Sequence, residues 1–141
     1  MIQILAESRQ ISINLTKAVE SEVVDQSVIA SLAEALEGKS HEVYQAQAII
    51  DLEGPIDAAA LTSQLSTAHE EHVSALMDWC QARLRGGDLT QTEQRLDDTS
   101  RAIGESLGEF IAEAHFWLNA LPEPRRPNGP QPGPPATPQA S

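Results

Sequence analysis

The chain has 141 residues, of which 40% are hydrophobic, and a formal net charge of −12 at pH 7. Its length suits one small domain, and a chain this acidic is repelled by nucleic acid phosphates and by anionic lipid surfaces. A single cysteine, Cys80, excludes an internal disulfide framework and is typical of a reducing cytoplasm.

The first third of the chain predicts one long helix. No glycine or proline occurs before Gly38, and apolar residues recur at three- and four-residue steps from Leu15 to Leu36. We therefore expect a helix over about residues 5–37. An alternative remains open for residues 1–16, because MIQIL and ISINLT alternate in polarity as the strands of a β-hairpin do.

Turn signals divide the remainder of the chain into three segments. EGKS at residues 37–40 and EGP at residues 53–55 delimit a predicted short helix over about 40–52. RGGD at residues 85–88 then separates two longer segments with helical apolar stripes.

The two longer segments predict a helical hairpin. The first covers residues 56–85, and the second covers residues 89–121 and ends before Pro122. Asp88 is a candidate N-cap for the second helix. A turn this short between long helices makes them antiparallel neighbours, so we expect residues 1–121 to form an all-α antiparallel bundle of three long helices plus one short helix.

The last twenty residues differ in composition from the rest. Eight of the nine prolines lie in residues 122–141, in the stretch PEPRRPNGPQPGPPATPQAS. We expect a disordered, Pro-rich C-terminal tail. It is either a linker or a ligand for a proline-binding groove.

Histidines in STAHEEHVSALMDW raise the question of a metal site. The candidate ligands are His69, Glu71, His72 and, on the last helix, His115. Zinc proteases need His-Glu-x-x-His and di-iron bundles need Glu-x-x-His on two helices, and the chain has neither pattern. We interpret the segment as a solvated polar helix face with His72 packed at its edge, and we expect no cofactor.

Small residues recur every fourth position in the last helix, at Ser100, Gly104, Gly108 and Ala112. We call this set the small-residue ridge. Each glycine in a helix interior costs about 1 kcal/mol relative to alanine, and small residues at this spacing allow another helix to approach closely. We expect the ridge to pack against the first helix of the same chain, a second copy or another protein.

Phe116 and Trp117 add an aromatic pair near the end of the same helix. Phe116 lies beside the main apolar stripe, so one ring is expected to be exposed as an anchor for a partner. Together with the small-residue ridge, these two residues form the predicted partner-binding set.

These observations favour a non-enzymatic protein–protein interaction module: a small, acidic, cytoplasmic helical adaptor or chaperone-like protein, of the kind found in bacterial secretion or assembly systems. Its expected partner is another protein, or itself as a homodimer, with no nucleic acid and no membrane insertion. One alternative is a metal-binding helical-bundle protein or enzyme that uses His69 and His72. Another is an acidic inhibitor that mimics DNA, although the longest acidic runs are pairs.

Overall fold

The computed structural model describes residues 1–120, which form four α-helices and no strand. The helices are α1 Ile2–Glu20, α2 Gln26–Glu53, α3 Ile56–Arg85 and α4 Thr90–Ala120. The prediction of an all-α bundle with three long helices and one shorter helix is therefore confirmed, although the shorter helix is the first and not the second. The predicted disordered tail over 122–141 lies outside the described residues.

Residues 21–25 are not helical and separate α1 from α2, so the prediction of one uninterrupted helix across this region is wrong. The Asp25 carboxylate accepts hydrogen bonds from the backbone N–H groups of Ser27 (3.0 Å) and Val28 (3.4 Å). This N-cap satisfies donors that have no partner within the helix, and it starts α2. Val23, in the break, is 83% exposed and does not continue the apolar stripe.

Gly38 lies inside α2, so the predicted turn at 37–40 and the separate helix over 40–52 are also wrong. A glycine in a helix interior costs only about 1 kcal/mol. Leu36 and Val43, on either side of it, are both buried in the core. Their burial offsets the cost of the glycine and keeps the helix continuous.

Residues 1–16, for which a β-hairpin remained an alternative, are helical in α1. Buried positions recur at three- and four-residue steps, at Leu5, Ser8, Ser12 and Leu15. The alternation in ISINLT does not produce a strand, because the helical period places Leu5 and Leu15 together in the core.

The hairpin of α3 and α4 is confirmed. Gly86 ends α3 in the left-handed conformation with φ 71°, which a side chain would disfavour. The Asp88 carboxylate accepts a hydrogen bond from the Thr90 backbone N–H (3.0 Å) and another from the Thr90 hydroxyl (2.8 Å). Glycine and aspartate therefore set the two ends of the turn.

Successive helices are antiparallel, and two apolar clusters fill the space between them. One cluster lies towards the α1–α2 break and is centred on Leu36 and Leu76. The other lies towards the α2–α3 turn and contains Leu65 and Phe110. Both clusters include α3, which contacts each of the other three helices and is the central helix of the bundle.

Candidate functional site

The four helices do not close into a complete bundle. No Cα atom of α4 lies within 8 Å of a Cα atom of α1 or α2, although the Phe110 side chain shares an apolar cluster with Leu5 of α1. The gap is an open groove of about 720 Å³, with α1 and α4 as its walls and α3 as its floor. We call it the α1–α4 groove.

The α1 wall carries small hydroxyl residues at every fourth position, at Ser8, Ser12 and Thr16. The Ser12 hydroxyl donates to the Ser8 carbonyl (2.9 Å), and the Thr16 hydroxyl donates to the Ser12 carbonyl (3.0 Å). Leu5 and Ile13 add apolar surface, and Ile13 is 38% exposed. Because Ser12 and Thr16 already donate within the helix, an apolar surface can cover this wall at little cost.

His69 is a deeply buried residue of the floor, at 2% exposure. Its Nε2 atom and Ser8 Oγ are joined by a hydrogen bond of 2.7 Å that ties α1 to α3. Burial lowers the pKa of His69 to about 4, with a smaller effect from the neighbouring His72, so the ring is neutral at pH 7. The interpretation of the whole His-Glu-Glu-His segment as a solvated face is therefore wrong for His69.

His72 lies where the floor meets the α4 wall. Its Nδ1 atom is 3.3 Å from Thr99 Oγ1 and 3.4 Å from Ser100 Oγ. Burial lowers the pKa of His72. This residue is at the edge of the polar segment, where the sequence placed it.

The α4 wall is uncharged. Its apolar members are Leu96, Ile103 and Leu107, all partly buried, and its small members are Ser100 and Gly104. A Cβ atom added at Gly104 would meet nothing within 4 Å. The wall therefore combines an apolar stripe with room for a closely packed side chain.

The small-residue ridge lies on the solvent side of α4 and does not pack against α1. All four of its residues are exposed, and a Cβ atom added at Gly108 also meets nothing within 4 Å. Because four residues advance a helix by about 400°, the ridge drifts by about 40° per step. Ser100 and Gly104 consequently line the groove, whereas Gly108 and Ala112 do not.

One ring of the aromatic pair packs against the core, and the other is exposed to solvent. Trp117 is partly buried and packs edge-on against Phe110, with ring centroids 6.4 Å apart. Phe116 is 66% exposed, as expected from its position beside the stripe. Neither ring lines the α1–α4 groove.

The candidate metal ligands do not converge. His69 and His72 line the groove, Glu71 lines a separate polar depression of about 470 Å³ between α3 and α4, and His115 is exposed on α4. Within residues 1–120 there is no group of three His, Cys, Asp or Glu residues that could hold a metal ion. The geometry gives the metal alternative no support.

The contact between Ser8 and His69 has the spacing of a nucleophile and its base, but the pKa of His69 lies well below its usual range because the ring is buried. A general base works best with a pKa near the working pH, and the pKa of His69 is about 4, with no carboxylate among the causes of its shift. Cys80 is buried, which raises the pKa of its thiol to about 11, so it is protonated at neutral pH. Both groups are better described as parts of the core.

Comparisons with known proteins leave the groove as the main guide to function. No family model, no curated protein and no solved structure matches this chain. Of the helices described, none is both long and apolar enough to cross a bilayer.

Proposed function

We propose that this protein is a non-enzymatic protein–protein interaction module, a small acidic adaptor or chaperone-like protein, which binds an amphipathic helix of a partner protein in the α1–α4 groove. The open seam between α1 and α4 is the observation that supports this proposal. A helix lying there completes the bundle, a mode of recognition in which an apolar helix face fills an apolar groove. A role in the bacterial cytoplasm, in a secretion or assembly system, is part of the same proposal and rests on composition.

The α1 wall of the groove is long enough for a bound helix. From Leu5 to Glu20 the α1 wall is about 22 Å long, at 1.5 Å per residue, which matches a helix of about 15 residues. Packed helices have axes about 8–10 Å apart, with the distance set by the side chains at the contact. Because the side chain of Ser12 is small and Gly104 has none, we expect the axis of a bound helix to lie at the short end of this range from α1 and from α4.

A bound helix also accounts for two features that the isolated chain leaves uncompensated. Gly104 costs about 1 kcal/mol relative to alanine, although among residues 1–120 no atom lies within 4 Å of an added Cβ atom. Ile103 and Leu107 remain partly exposed to the groove. Covering a large apolar side chain completely stabilises by about 1.5–3 kcal/mol, so a helix in the groove gains the remaining part of that burial.

A groove-filling substitution tests the proposal. Gly104→Leu introduces a branched side chain into the groove, and Gly38→Leu is a matched control, because Gly38 is also inside a long helix with nothing within 4 Å of an added Cβ atom. The bait proteins are used for pull-downs from the native host, and recovered proteins are quantified by mass spectrometry. We expect wild type and Gly38→Leu to recover the same partner and Gly104→Leu to lose it.

A third bait tests whether the partner binds in the groove or on the part of the small-residue ridge that lies outside it. Gly108→Leu changes the same helix outside the groove and is expected to retain the partner. Circular dichroism checks that all three variants keep the helical signal of the wild type. Recovery of an unchanged partner set by Gly104→Leu contradicts the proposed use of the groove.

A further inference from the structure

The charged residues of the groove all lie on one wall. Arg9, Lys17 and Glu20 belong to α1, whereas the groove-lining residues of α3 and α4 carry no formal charge at neutral pH. The wall therefore has two positive charges and one negative charge in a chain with 21 acidic and 9 basic residues. This local excess of positive charge is opposite in sign to the protein as a whole.

Within residues 1–120, the two basic residues have no ionic partner. The ion pairs of the described residues use Lys39, Arg95 and Arg101, and none of them includes Arg9 or Lys17. Both side chains are exposed at the edge of the groove. They are therefore available to a carboxylate that arrives with a bound helix.

Their spacing is regular. Arg9, Ile13 and Lys17 are separated by four residues each, so they follow one edge of α1, with the two charges about 12 Å apart along the helix axis. A bound helix that lies along α1 presents residues seven or eight positions apart at nearly the same separation. Two carboxylates on one flank of that helix therefore meet both basic residues at once.

Building on the proposed function, we infer that the helix bound in the α1–α4 groove is an acidic amphipathic helix. It has carboxylates seven or eight residues apart on the flank that contacts α1. Its opposite flank, against Ser100 and Gly104, consists of small or apolar residues. This asymmetry fixes the rotation of the bound helix about its own axis, which an apolar stripe alone does not.

The net negative charge of the protein does not prevent an acidic helix from binding in the groove, because the contacts there are at close range. Charges farther apart than about 8 Å are largely screened at physiological ionic strength, whereas the carboxylates of the bound helix are in direct contact with Arg9 and Lys17. Without this local contact, a protein of net charge −12 would favour a basic helix. Local contact with Arg9 and Lys17 therefore predicts a preference for an acidic helix, whereas the overall net charge predicts a preference for a basic one.

Two designed peptides of 15 residues test the inference against the full-length protein. They share one leucine and alanine face and carry either glutamate or lysine on the α1-side flank. Binding is measured by fluorescence anisotropy in 150 mM salt. We expect the glutamate peptide to bind wild type at least tenfold more tightly than the lysine peptide.

Charge reversal supplies the matched variants. R9E/K17E is expected to reverse the preference, because it replaces both basic residues at the groove. R83E/R85E makes the same change in net charge at the exposed end of α3, outside the groove, and is expected to leave the preference unchanged. Gly104→Leu is expected to abolish binding of the glutamate peptide.

The outcomes separate this inference from the proposed function. Equal affinities for the two peptides, or tighter binding of the lysine peptide, overturn the acidic helix and leave the groove as a helix-binding site. Binding that survives Gly104→Leu overturns the inference by placing the peptide elsewhere. If neither peptide binds and light scattering shows a dimer that Gly104→Leu dissociates, a second copy occupies the groove; if neither binds and the protein is monomeric, both proposals are wrong.

Discussion

The seam between α2 and α3 is closed, whereas the seam between α1 and α4 is open, and their side chains explain the difference. Leu36, Val43, Leu65 and Leu76 are almost completely buried where α2 and α3 meet. Each such side chain contributes about 1.5–3 kcal/mol by its removal from water. These large residues hold the two helices together without help from another chain.

Across the open seam, small residues are interspersed with the large apolar residues of both walls. Ser8, Ser12 and Thr16 on one wall face Ser100 and Gly104 on the other. The large apolar residues of this seam, such as Ile13, Ile103 and Leu107, stay at least partly exposed because the two helices do not meet. The small residues among them leave space for a helix that brings its own apolar side chains, and this is why we propose that the first seam stabilises the fold and the second binds a partner.

Leucine truncation is expected to give the largest difference between the two seams in the loss of unfolding free energy. Leu65→Ala removes a side chain with no exposure from the closed core and should reduce the free energy of unfolding by about 2–5 kcal/mol. Leu107→Ala, in the partly exposed wall of the groove, should cost less than about 2 kcal/mol. Urea unfolding followed by circular dichroism measures both, and equal losses would contradict an open seam.

Acidic pH should weaken the connection between α1 and α3. The pKa of His69 is about 4 in the folded state, against an ordinary value of 6.5, so between these pH values the unfolded chain binds the proton more readily. The contribution of His69 to stability is therefore complete above pH 6.5 and is lost as the pH falls towards 4. At pH 4.5 the loss is on the order of 2–3 kcal/mol.

The comparison of His69→Gln with wild type isolates this effect from that of the carboxylates. Urea unfolding at pH 7 and at pH 4.5 should show a smaller loss of stability for the variant than for the wild type. His115→Asn changes an exposed histidine and should behave as the wild type does. The same pH dependence in all three proteins would show that His69 is not buried as described.

Removal of the hydroxyl that binds His69 should have an effect of intermediate size. Ser8→Ala leaves the buried His69 Nε2 atom without its 2.7 Å partner and should cost about 1–3 kcal/mol. Ser63→Ala, at an exposed position of α3, should cost less than about 0.5 kcal/mol. Hydrogen exchange should also become faster in α1 than in α3, and unchanged exchange in α1 would count against this bond as the tie between them.

The smallest expected effect has the opposite sign. Gly104→Ala and Gly38→Ala each replace a glycine inside a helix where an added Cβ atom meets nothing within 4 Å. Each should therefore stabilise the free protein, by about 0.5–1 kcal/mol. Thermal unfolding measures both, and a lower Tm for Gly104→Ala alone would show that the groove is narrower than described.

The hairpin of α3 and α4 could be predicted because its signals are local. Gly86 and Asp88 mark the turn, and long apolar stripes mark the helices on either side. The break at residues 21–25 was missed because it contains no glycine or proline, and the cap at Asp25 is a single carboxylate. Gly38 was misleading for the opposite reason, since burial of its neighbours outweighs its low helix propensity.

The candidate site could be predicted only in part. Small residues at a four-residue spacing identified Ser100 and Gly104, because this pattern depends on one helix alone. The groove itself depends on which helices do not touch, and local sequence does not specify that. The burial of His69 depends on Ser8, which is sixty-one residues away, so its neighbours in sequence suggested a solvated position.

Disulfide trapping across the seam tests the open groove most directly. Ser12→Cys and Ser100→Cys are introduced together with Cys80→Ala, and the protein is mildly oxidised at low concentration. A disulfide needs Cα atoms about 4.4–6.8 Å apart, and no α1–α4 pair lies within 8 Å, so we predict that the protein remains in its reduced form. Rapid and complete formation of an intramolecular disulfide, with an undiminished Tm, would show that α1 and α4 are in contact and would contradict the open groove.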